Sequence, residues 1–115
     1  MIVRLWRGRV AASRATEYRA YQEEVGPPNY RTVSGIRRIY MLGRELGAQV
    51  EVAMLTFWES REAIRAFAGE PIDRANYDEY RRRGLDYLIE LPETVEHFDI
   101  LVRETPATRP LDGPG

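Results

Sequence analysis

The sequence predicts an α+β domain in which one antiparallel β-sheet carries helices on one face. The predicted elements follow the order strand, helix, strand, strand, helix, strand, which places both helices on the same side of a single sheet. The third strand is an almost unbroken apolar run, Val52–Trp58, that turns directly into a helix. Both faces of this strand are largely apolar, so each face needs a cover.

The stretch Glu51–Gly69 contains the clearest local signals. The run Val52–Trp58 is short, β-branched and aromatic, which favours a strand over a buried helix. Ser60 is a suitable N-cap because its hydroxyl can accept a hydrogen bond from a free amide of the first helical turn. Glu62 suits the helix dipole, and Gly69 is placed to end the helix in a left-handed conformation. We therefore expect a helix between Ser60 and Gly69.

The remaining elements follow from hydrophobic spacing and from turn residues. We expect the other strands at Ile2–Val10, Ile36–Leu42 and Val95–Arg103, and the other helices at Arg14–Val25 and Pro71–Tyr80. We expect connections at Gly26-Pro27-Pro28, which should end the first helix, at Asn29–Gly35, at the hairpin Gly43–Ala48 and at Arg81–Gly84. The segment Leu85–Leu91 fits a short helix and an edge strand equally well.

The predicted elements make one ferredoxin-like βαββαβ domain from residues 1–103. Residues 104–115 contain several prolines and glycines among polar residues, which predicts a C-terminal tail or arm outside the core.

The second apolar sheet face predicts a homodimer in which two sheets face each other. A chain of this length has helices for one face only, so a second copy is the expected cover for the other. A stable interface of this kind buries about 800 Å² per partner. Trp6 lies on the same strand face as the charged Arg4, so we expect Trp6 in the dimer interface rather than in the aromatic wall of a ligand pocket.

Composition excludes several classes of function. The net charge is −1, which argues against a nucleic-acid surface, and no apolar run is long enough to span a membrane. There is no cysteine and no lysine, so thiolate and Schiff-base chemistry on side chains are absent. His97 is the single histidine, so one protomer cannot build a histidine-rich metal site. With no visible signal peptide, we expect a cytoplasmic location.

Several segments resemble one family. The motifs TFWES, EAIRAFAG, PIDRANY and TVEHFDI, in this element order, are similar to those of the antibiotic biosynthesis monooxygenases, which are dimeric α+β barrel proteins. The resemblance covers residues 1–103. It implies a pocket in each protomer between the helices and the sheet.

The resemblance implies a small enzyme that oxygenates an electron-rich aromatic polyketide or quinol with dioxygen as co-substrate and no cofactor. Two other functions remain open on the same scaffold, a polyketide cyclase or isomerase and a non-catalytic ligand-binding dimer. Haem-degrading relatives carry asparagine, tryptophan and histidine at places that correspond here to Arg7, Phe67 and Tyr77. All three residues differ, so the resemblance does not favour haem.

Cofactor-free oxygenation needs a group that takes a proton, donors for an enolate oxygen and a water-poor pocket. His97 is the residue that titrates near neutral pH, so it is the candidate base, although a half-buried structural histidine explains it as well. Tyr77 and Asn76 complete the predicted catalytic set as hydrogen-bond donors. The predicted substrate-binding residues are Tyr30 and Tyr40 as donors, Arg7 as an anion partner, and Trp58 and Phe67 as aromatic walls. The place of Trp58, at the end of a strand before a helix, favours a core or dimer contact over a ligand wall.

Overall fold

The computed structural model describes residues 1–107, except for the side chains of Pro27 and Pro28. It has the predicted α+β architecture, with a four-stranded antiparallel sheet in the order β2-β3-β1-β4. The elements are β1 Ile2–Ala11, α1 Ala15–Tyr30, β2 Ile36–Leu46, β3 Gln49–Trp58, α2 Arg61–Ala68, α3 Asp78–Arg82 and β4 Glu96–Asp99. This strand order is that of a ferredoxin-like sheet, and one chain does not close it into a barrel.

The helix after β3 confirms the local prediction. The Ser60 hydroxyl accepts a hydrogen bond from the Ala63 amide at 3.1 Å, and α2 spans Arg61–Ala68. Gly69 follows with φ 79°, a conformation that suits a residue without a side chain. Capping is a local interaction between residues close in sequence, so its residue types alone were sufficient to predict it.

The predicted end of α1 at Gly26-Pro27-Pro28 is wrong, because the helix continues to Tyr30. A proline removes one backbone donor and bends a helix, but it does not end one when packing stabilises the following turn. Here Tyr30 packs against the core residues around Trp58, and its ring centroid lies 5.1 Å from that of Phe67. Tertiary contacts therefore stabilise the last turn of α1.

The hairpin is tighter than predicted. Strand β2 runs to Leu46 and β3 begins at Gln49, so only Gly47 and Ala48 form the turn instead of the expected segment Gly43–Ala48. Gly47 has φ 63°, as two-residue hairpin turns require. Gly43 pairs with Val52 inside the ladder, so it is a strand residue.

The predicted helix Pro71–Tyr80 is also wrong over its first part. The backbone of residues 73–75 bonds instead to residues 93–95, from the Ala75 amide to the Glu93 carbonyl at 2.8 Å and from the Val95 amide to the Asp73 carbonyl at 2.7 Å. These bonds use the Ala75 amide and the Asp73 carbonyl, which a helix would need, and the helix is confined to Asp78–Arg82. The segment Leu85–Leu91 forms neither a helix nor a strand, and makes a single bridge from Leu88 to Val10.

Strand β4 covers Glu96–Asp99, whereas the prediction extended it from Val95 to Arg103. It runs antiparallel to β1 and reaches the first residue of β1 where Asp99 pairs with Ile2. Beyond that point β1 offers no backbone to pair with, so residues 101–107 have no regular secondary structure. Most of the predicted tail, residues 108–115, lies outside the described residues.

We call the helix-facing side of the sheet the covered face and its other side the open face. The core on the covered face is divided into two clusters. One is centred on Ile2, Trp58 and Ile64, and the other on Val10, Tyr18 and Val52. The middle of the same face, between the two clusters, is where β1 and β3 border a cavity.

Trp6 lies on the covered face, so its predicted place in a dimer interface is wrong. That prediction rested on the charged Arg4, which shares the same strand face. In the structure Arg4 is only 8% exposed.

Among the described residues, no helix is both long and apolar enough to cross a membrane.

Candidate functional site

A cavity of about 430 Å³ lies between α1, the middle of the covered face and residues 75–80. This volume is within the usual range for small-molecule sites, about 300–1,000 Å³. Its walls are mainly aromatic, and the rings come from three directions: Trp6 from β1, Tyr18, Tyr21 and Tyr30 from α1, and Phe67, Tyr77 and Tyr80 from the α2–α3 region. The cavity suits a flat, unsaturated ligand.

Helix α1 presents one stripe to the cavity. Tyr18, Gln22, Val25, Gly26, Asn29 and Tyr30 recur at helical spacing and all line it. The stripe mixes apolar rings with the polar side chains of Gln22 and Asn29. Their polar atoms offer hydrogen-bonding groups to a ligand along an otherwise apolar wall.

Trp6 and Tyr77 are fixed by a chain of hydrogen bonds. The Trp6 Nε1–H donates to the Tyr77 hydroxyl at 2.8 Å, and that hydroxyl donates to the Pro92 carbonyl at 2.5 Å. The Trp6 ring also lies over Gly8, where a Cβ atom would stand 2.6 Å from the ring. Gly8 therefore leaves the space that the indole occupies, and both rings are held as rigid walls.

The buried cavity tyrosines stay protonated at neutral pH. Burial raises the pKa of the Tyr18, Tyr30 and Tyr77 hydroxyls above the ordinary value. The Tyr18 hydroxyl already accepts a hydrogen bond from Gln22 at 2.8 Å. Tyr18 and Tyr30 can therefore donate to a ligand oxygen, whereas the Tyr77 hydroxyl donates to Pro92, and all three are poor bases.

Arg4 forms part of the floor of the cavity. Its side chain makes two long hydrogen bonds, both 3.4 Å, to the carbonyls of Ile72 and Arg74. Its Nε is buried and has no hydrogen-bond partner among the described residues. Burial lowers the pKa of Arg4, and the proximity of Tyr30 and Asp73 opposes that effect. An arginine nevertheless remains charged at neutral pH, so the floor carries a positive charge.

The structure brings together four of the residues predicted for the site. Tyr30, Phe67, Asn76 and Tyr77 all line the cavity. Asn76 accepts a hydrogen bond from the Asp78 amide at 2.9 Å through its side-chain oxygen, which leaves its NH2 group to donate. Their predicted roles toward a ligand remain predictions.

Trp58, Arg7 and Tyr40 do not border this cavity. Trp58 is fully buried in the core, where its Nε1–H donates to the Thr56 hydroxyl at 2.8 Å. Arg7 lies on the open face, 3.7 Å from Glu96. Tyr40 lies on the open face as well and is 42% exposed. Arg7 and Tyr40 therefore lie on the side of the sheet away from this cavity.

His97 also lies outside the cavity. It is on β4 opposite Arg4, beside a separate hollow near Arg61, and its Nδ1 lies 2.9 Å from a carboxylate oxygen of Asp73. Its Nε2 is buried without a partner in the part of the chain that the structure describes. Burial lowers the pKa of His97, against the opposing effect of the Asp73 hydrogen bond. His97 and Tyr77 thus do not face one cavity.

Arg4 was not predicted to line the cavity, and Trp6 was expected in the dimer interface instead, yet both are lining residues. The signal that could have identified Arg4 is its place in the alternation Ile2, Arg4, Trp6, where the other two residues are apolar. A charge between apolar residues on one strand face is an exception that needs an explanation, and in this chain the explanation is a cavity.

No family model matches the sequence, and no curated protein matches it. Solved structures do match the fold. One, whose name assigns it to the antibiotic biosynthesis monooxygenases of Nitrosomonas europaea, has a TM-score of 0.64 at 15% identity and covers 89% of this chain and 100% of its own. Another of that name, from Bacillus cereus, has a TM-score of 0.55 at 18% identity and covers 93% of this chain and 97% of its own.

A third matching structure is the haem degrader MhuD of Mycobacterium tuberculosis, named as having two haems bound in its active site. Its TM-score is 0.62 at 18% identity, and the match covers 91% of this chain and 100% of that one. At these identities the likeness concerns the fold. The chain therefore has the fold of the antibiotic biosynthesis monooxygenases, as the sequence motifs indicated.

The residues around the cavity are a poor fit for haem. No histidine lines the cavity among the described residues, and His97 stands outside it. The hydroxyls of Tyr18 and Tyr77 could offer oxygen ligands, but both are already hydrogen-bonded to protein groups. In the described part of the chain, no cluster of acidic residues and histidine is arranged to hold a metal ion.

Proposed function

We propose that this protein is a cofactor-independent monooxygenase that acts on an electron-rich aromatic small molecule of the polyketide or quinol type. The observation that carries the proposal is the aromatic cavity of about 430 Å³ in the middle of the covered face. The fold shared with structures named as monooxygenases supports the reaction type. The flat walls support the aromatic substrate class.

The reaction needs only dioxygen and an ionised substrate. An acidic CH2 or phenol in the substrate loses a proton to give an electron-rich enolate or phenolate. One electron passes to dioxygen, the two radicals combine into a peroxide, and loss of water leaves a new carbonyl. For a ring CH2 group the balance is CH2 plus O2 to C=O plus H2O. The protein contributes a water-poor cavity and fixed donors.

We assign the donors to Asn76 and Tyr30. Asn76 has its NH2 group left to donate, and Tyr30 stays protonated, so both suit a substrate oxygen. Tyr77 serves as a wall, since its own proton is donated to Pro92. His97 stands outside the cavity lining, so we propose that the substrate proton leaves to water at the exposed rim beside Asp78.

Oxygen uptake tests the proposal. The purified protein, free of added metal or flavin, is mixed with a panel of anthrones and hydroquinones, and dioxygen consumption is compared with the uncatalysed rate. We expect one substrate class to accelerate uptake, with a quinone-type product. Turnover without dioxygen would instead identify a cyclase or isomerase, and tight binding without any turnover would identify a ligand-binding protein.

A matched pair of variants shows whether the cavity is the site. Ala75 lines the cavity, whereas Ala20 is exposed on α1. Ala75→Phe fills the cavity and should abolish uptake while the protein stays folded. Ala20→Phe makes the same chemical change in solvent and should leave uptake unaltered. Equal activity of the two variants would locate the reaction elsewhere.

We also propose that the open face pairs with the open face of a second copy. Its centre is apolar, with Val3, Leu5, Ala53, Leu55 and Phe57, and its large outer residues Tyr40, Leu42 and Phe98 are 42%, 46% and 50% exposed. Strands of about ten residues in a sheet of this width present about 30 Å by about 19 Å, or about 600 Å². That area approaches the usual size of one side of a stable interface.

A further inference from the structure

Arg4 is a buried cation that forms no salt bridge with any of the residues that the structure describes. The residue is 8% exposed, and no carboxylate of the described residues lies within 4.0 Å of its guanidinium. The other arginines of β1 differ, since Arg7 and Arg9 each face a glutamate. A buried charge normally has a partner of opposite charge, because the interior cannot replace the water that it loses.

The protein's own contacts satisfy Arg4 only in part. The two hydrogen bonds to backbone carbonyls are long, at 3.4 Å each, and Nε donates to no described group. Asp73 is the carboxylate whose proximity opposes the lowered pKa, but its oxygen lies 2.9 Å from His97 Nδ1. The positive charge is therefore left for another partner.

We propose that Arg4 forms an anion subsite in the cavity, and that the natural ligand is an aromatic molecule with an anionic oxygen on or next to the ring. Arg4 lines the cavity together with Tyr30 and Thr56, and aromatic side chains form most of the remaining lining. A ligand lying flat between the rings would bring its edge oxygen to this floor. Charge-assisted hydrogen bonds from an arginine are among the stronger ones that proteins make.

This subsite deepens the proposed oxygenation, and it rests on that function where the bound oxygen belongs to the reacting ring. Binding to Arg4 favours the ionised form of a phenol or enol, because an adjacent positive charge stabilises the anion. The O–H bond breaks, its proton goes to water, and its electron pair stays on the oxygen that Arg4 binds. The electron-rich anion then forms without a histidine in the cavity.

Calorimetric titration of the full chain with matched probes tests the subsite. The probes are 1-naphthoate, which is anionic, and naphthalene-1-carboxamide, which has a similar shape and no charge. We expect naphthoate to bind about 10- to 100-fold more tightly, as charged hydrogen bonds predict. Equal affinity of the two probes, or no binding of naphthoate, overturns the proposal without the use of any variant.

Two variants test whether Arg4 causes the tighter binding of the anionic probe. Arg4→Met removes the charge and keeps a long apolar stem, and should reduce the affinity for naphthoate to that for the carboxamide. Arg19→Met makes the same change at an exposed arginine of α1 that pairs with Glu23, and should keep the full preference. A preference that survives in a folded Arg4→Met protein overturns the assignment.

Thermal melting separates this role from a purely structural one. If Arg4 mainly holds the carbonyls of Ile72 and Arg74, Arg4→Met should lower the melting temperature. If it is a ligand-binding cation without a counter-ion, the variant should melt at the same or a higher temperature, since an apolar replacement for an unpaired buried charge is often stabilising. A clear loss of stability counts against the subsite.

The anionic oxygen of the ligand can belong to a phenol or enol, or to an aromatic carboxylate. A phenol probe distinguishes these two classes of ligand. 4-Nitrophenol absorbs visible light as its phenolate, so a pH titration of the bound probe gives its pKa. We expect this pKa to fall on binding to the native protein and to Arg19→Met, but not on binding to Arg4→Met. A lowered pKa supports a phenol or enol as the natural ligand, and naphthoate binding with an unchanged phenol pKa supports an aromatic carboxylate.

These measurements are independent of dioxygen. Arg4-dependent binding of anions without oxygen uptake would support the subsite and contradict the proposed oxygenation. Oxygen uptake that is equal in the native protein and in Arg4→Met would support oxygenation and overturn the subsite.

Discussion

Similar residues have different environments on the two faces of the sheet. On β1, Arg4 belongs to the covered face and Arg7 to the open face. Arg4 is buried against a cavity with no carboxylate beside it among the described residues, whereas Arg7 is more than half exposed and lies near Glu96. The role of a charged residue on a strand therefore depends on what covers that face of the sheet.

The aromatic residues of the two faces differ in the same way. On the covered face Trp6 and Tyr77 share a hydrogen bond and border the cavity. On the open face Tyr40 and Phe57 contact edge to face, with ring centroids 6.1 Å apart, and present a surface rather than a hollow. We therefore expect substitutions on the covered face to affect stability and ligand binding, and those on the open face to affect association.

The largest difference should appear between Trp58→Ala and Phe98→Ala. Trp58 is fully buried on the covered face, so its truncation should cost about 3–5 kcal/mol of unfolding free energy. Phe98 is 50% exposed on the open face, and its truncation should cost less than about 1 kcal/mol. Urea unfolding at one fixed protein concentration measures both. Similar losses would mean that the two faces are equally buried in solution.

Leu55→Arg should separate the proposed dimer. Leu55 lies near the centre of the open face, so each copy would place an unpaired charge in the interface. We expect the dimer dissociation constant to rise about 100-fold or more. Sedimentation velocity measures this, with Ala66→Arg on the exposed side of α2 as the control. A native protein that sediments as a monomer at micromolar concentration would contradict the dimer itself.

Removal of one tyrosine hydroxyl from each face should give a smaller difference in the free energy of unfolding. Tyr77→Phe loses the hydrogen bond to Pro92 and leaves the Trp6 Nε1–H without its acceptor, which should cost about 1–3 kcal/mol. Tyr40→Phe loses an exposed contact with Arg38, and its stability should change by less than about 0.5 kcal/mol. Chemical denaturation gives both values. If Tyr77→Phe is neutral, the hydroxyl does not hold Trp6 in place.

The smallest effect concerns pH. Burial lowers the pKa of His97 in the folded state below its ordinary value of 6.5. The unfolded chain therefore binds more protons, and the stabilising contribution of the neutral ring is complete above pH 6.5 and declines as the pH falls through that value toward the folded pKa. His97→Gln should flatten the decline in melting temperature on this acidic side. An unchanged pH profile would show that His97 has the same pKa in both states.

The sequence predicted those parts of the fold that depend on neighbouring residues. Ser60 and Gly69 bound α2 as expected, because caps depend on residues within one or two turns. The predictions were wrong where contacts between residues far apart in sequence determine the local structure. Helix α1 continues past its prolines because Tyr30 packs on the core, and residues 73–75 pair with residues 93–95 instead of starting a helix.

Only some of the residues predicted for the candidate site line the cavity. Tyr30, Phe67, Asn76 and Tyr77 were chosen for their chemistry, and they line one cavity. His97 and Arg7 were chosen in the same way, but Arg7 lies on the open face, and His97 contacts Asp73 beside a separate hollow. Arg4 was not among the candidates, although its charge stands between the apolar residues Ile2 and Trp6 on one strand face. Chemistry suggests candidates, whereas strand register decides which of them can meet a ligand.

The division of the core into two clusters has a consequence for how this scaffold changes in evolution. Trp58 with its neighbours anchors one end of the sheet, and Tyr18 with its neighbours anchors the other. Met54 and Thr56 lie between these anchors and help to form the floor of the cavity. Such midpoint positions can exchange side chains while both anchors persist, so new ligand preferences can arise without a new fold.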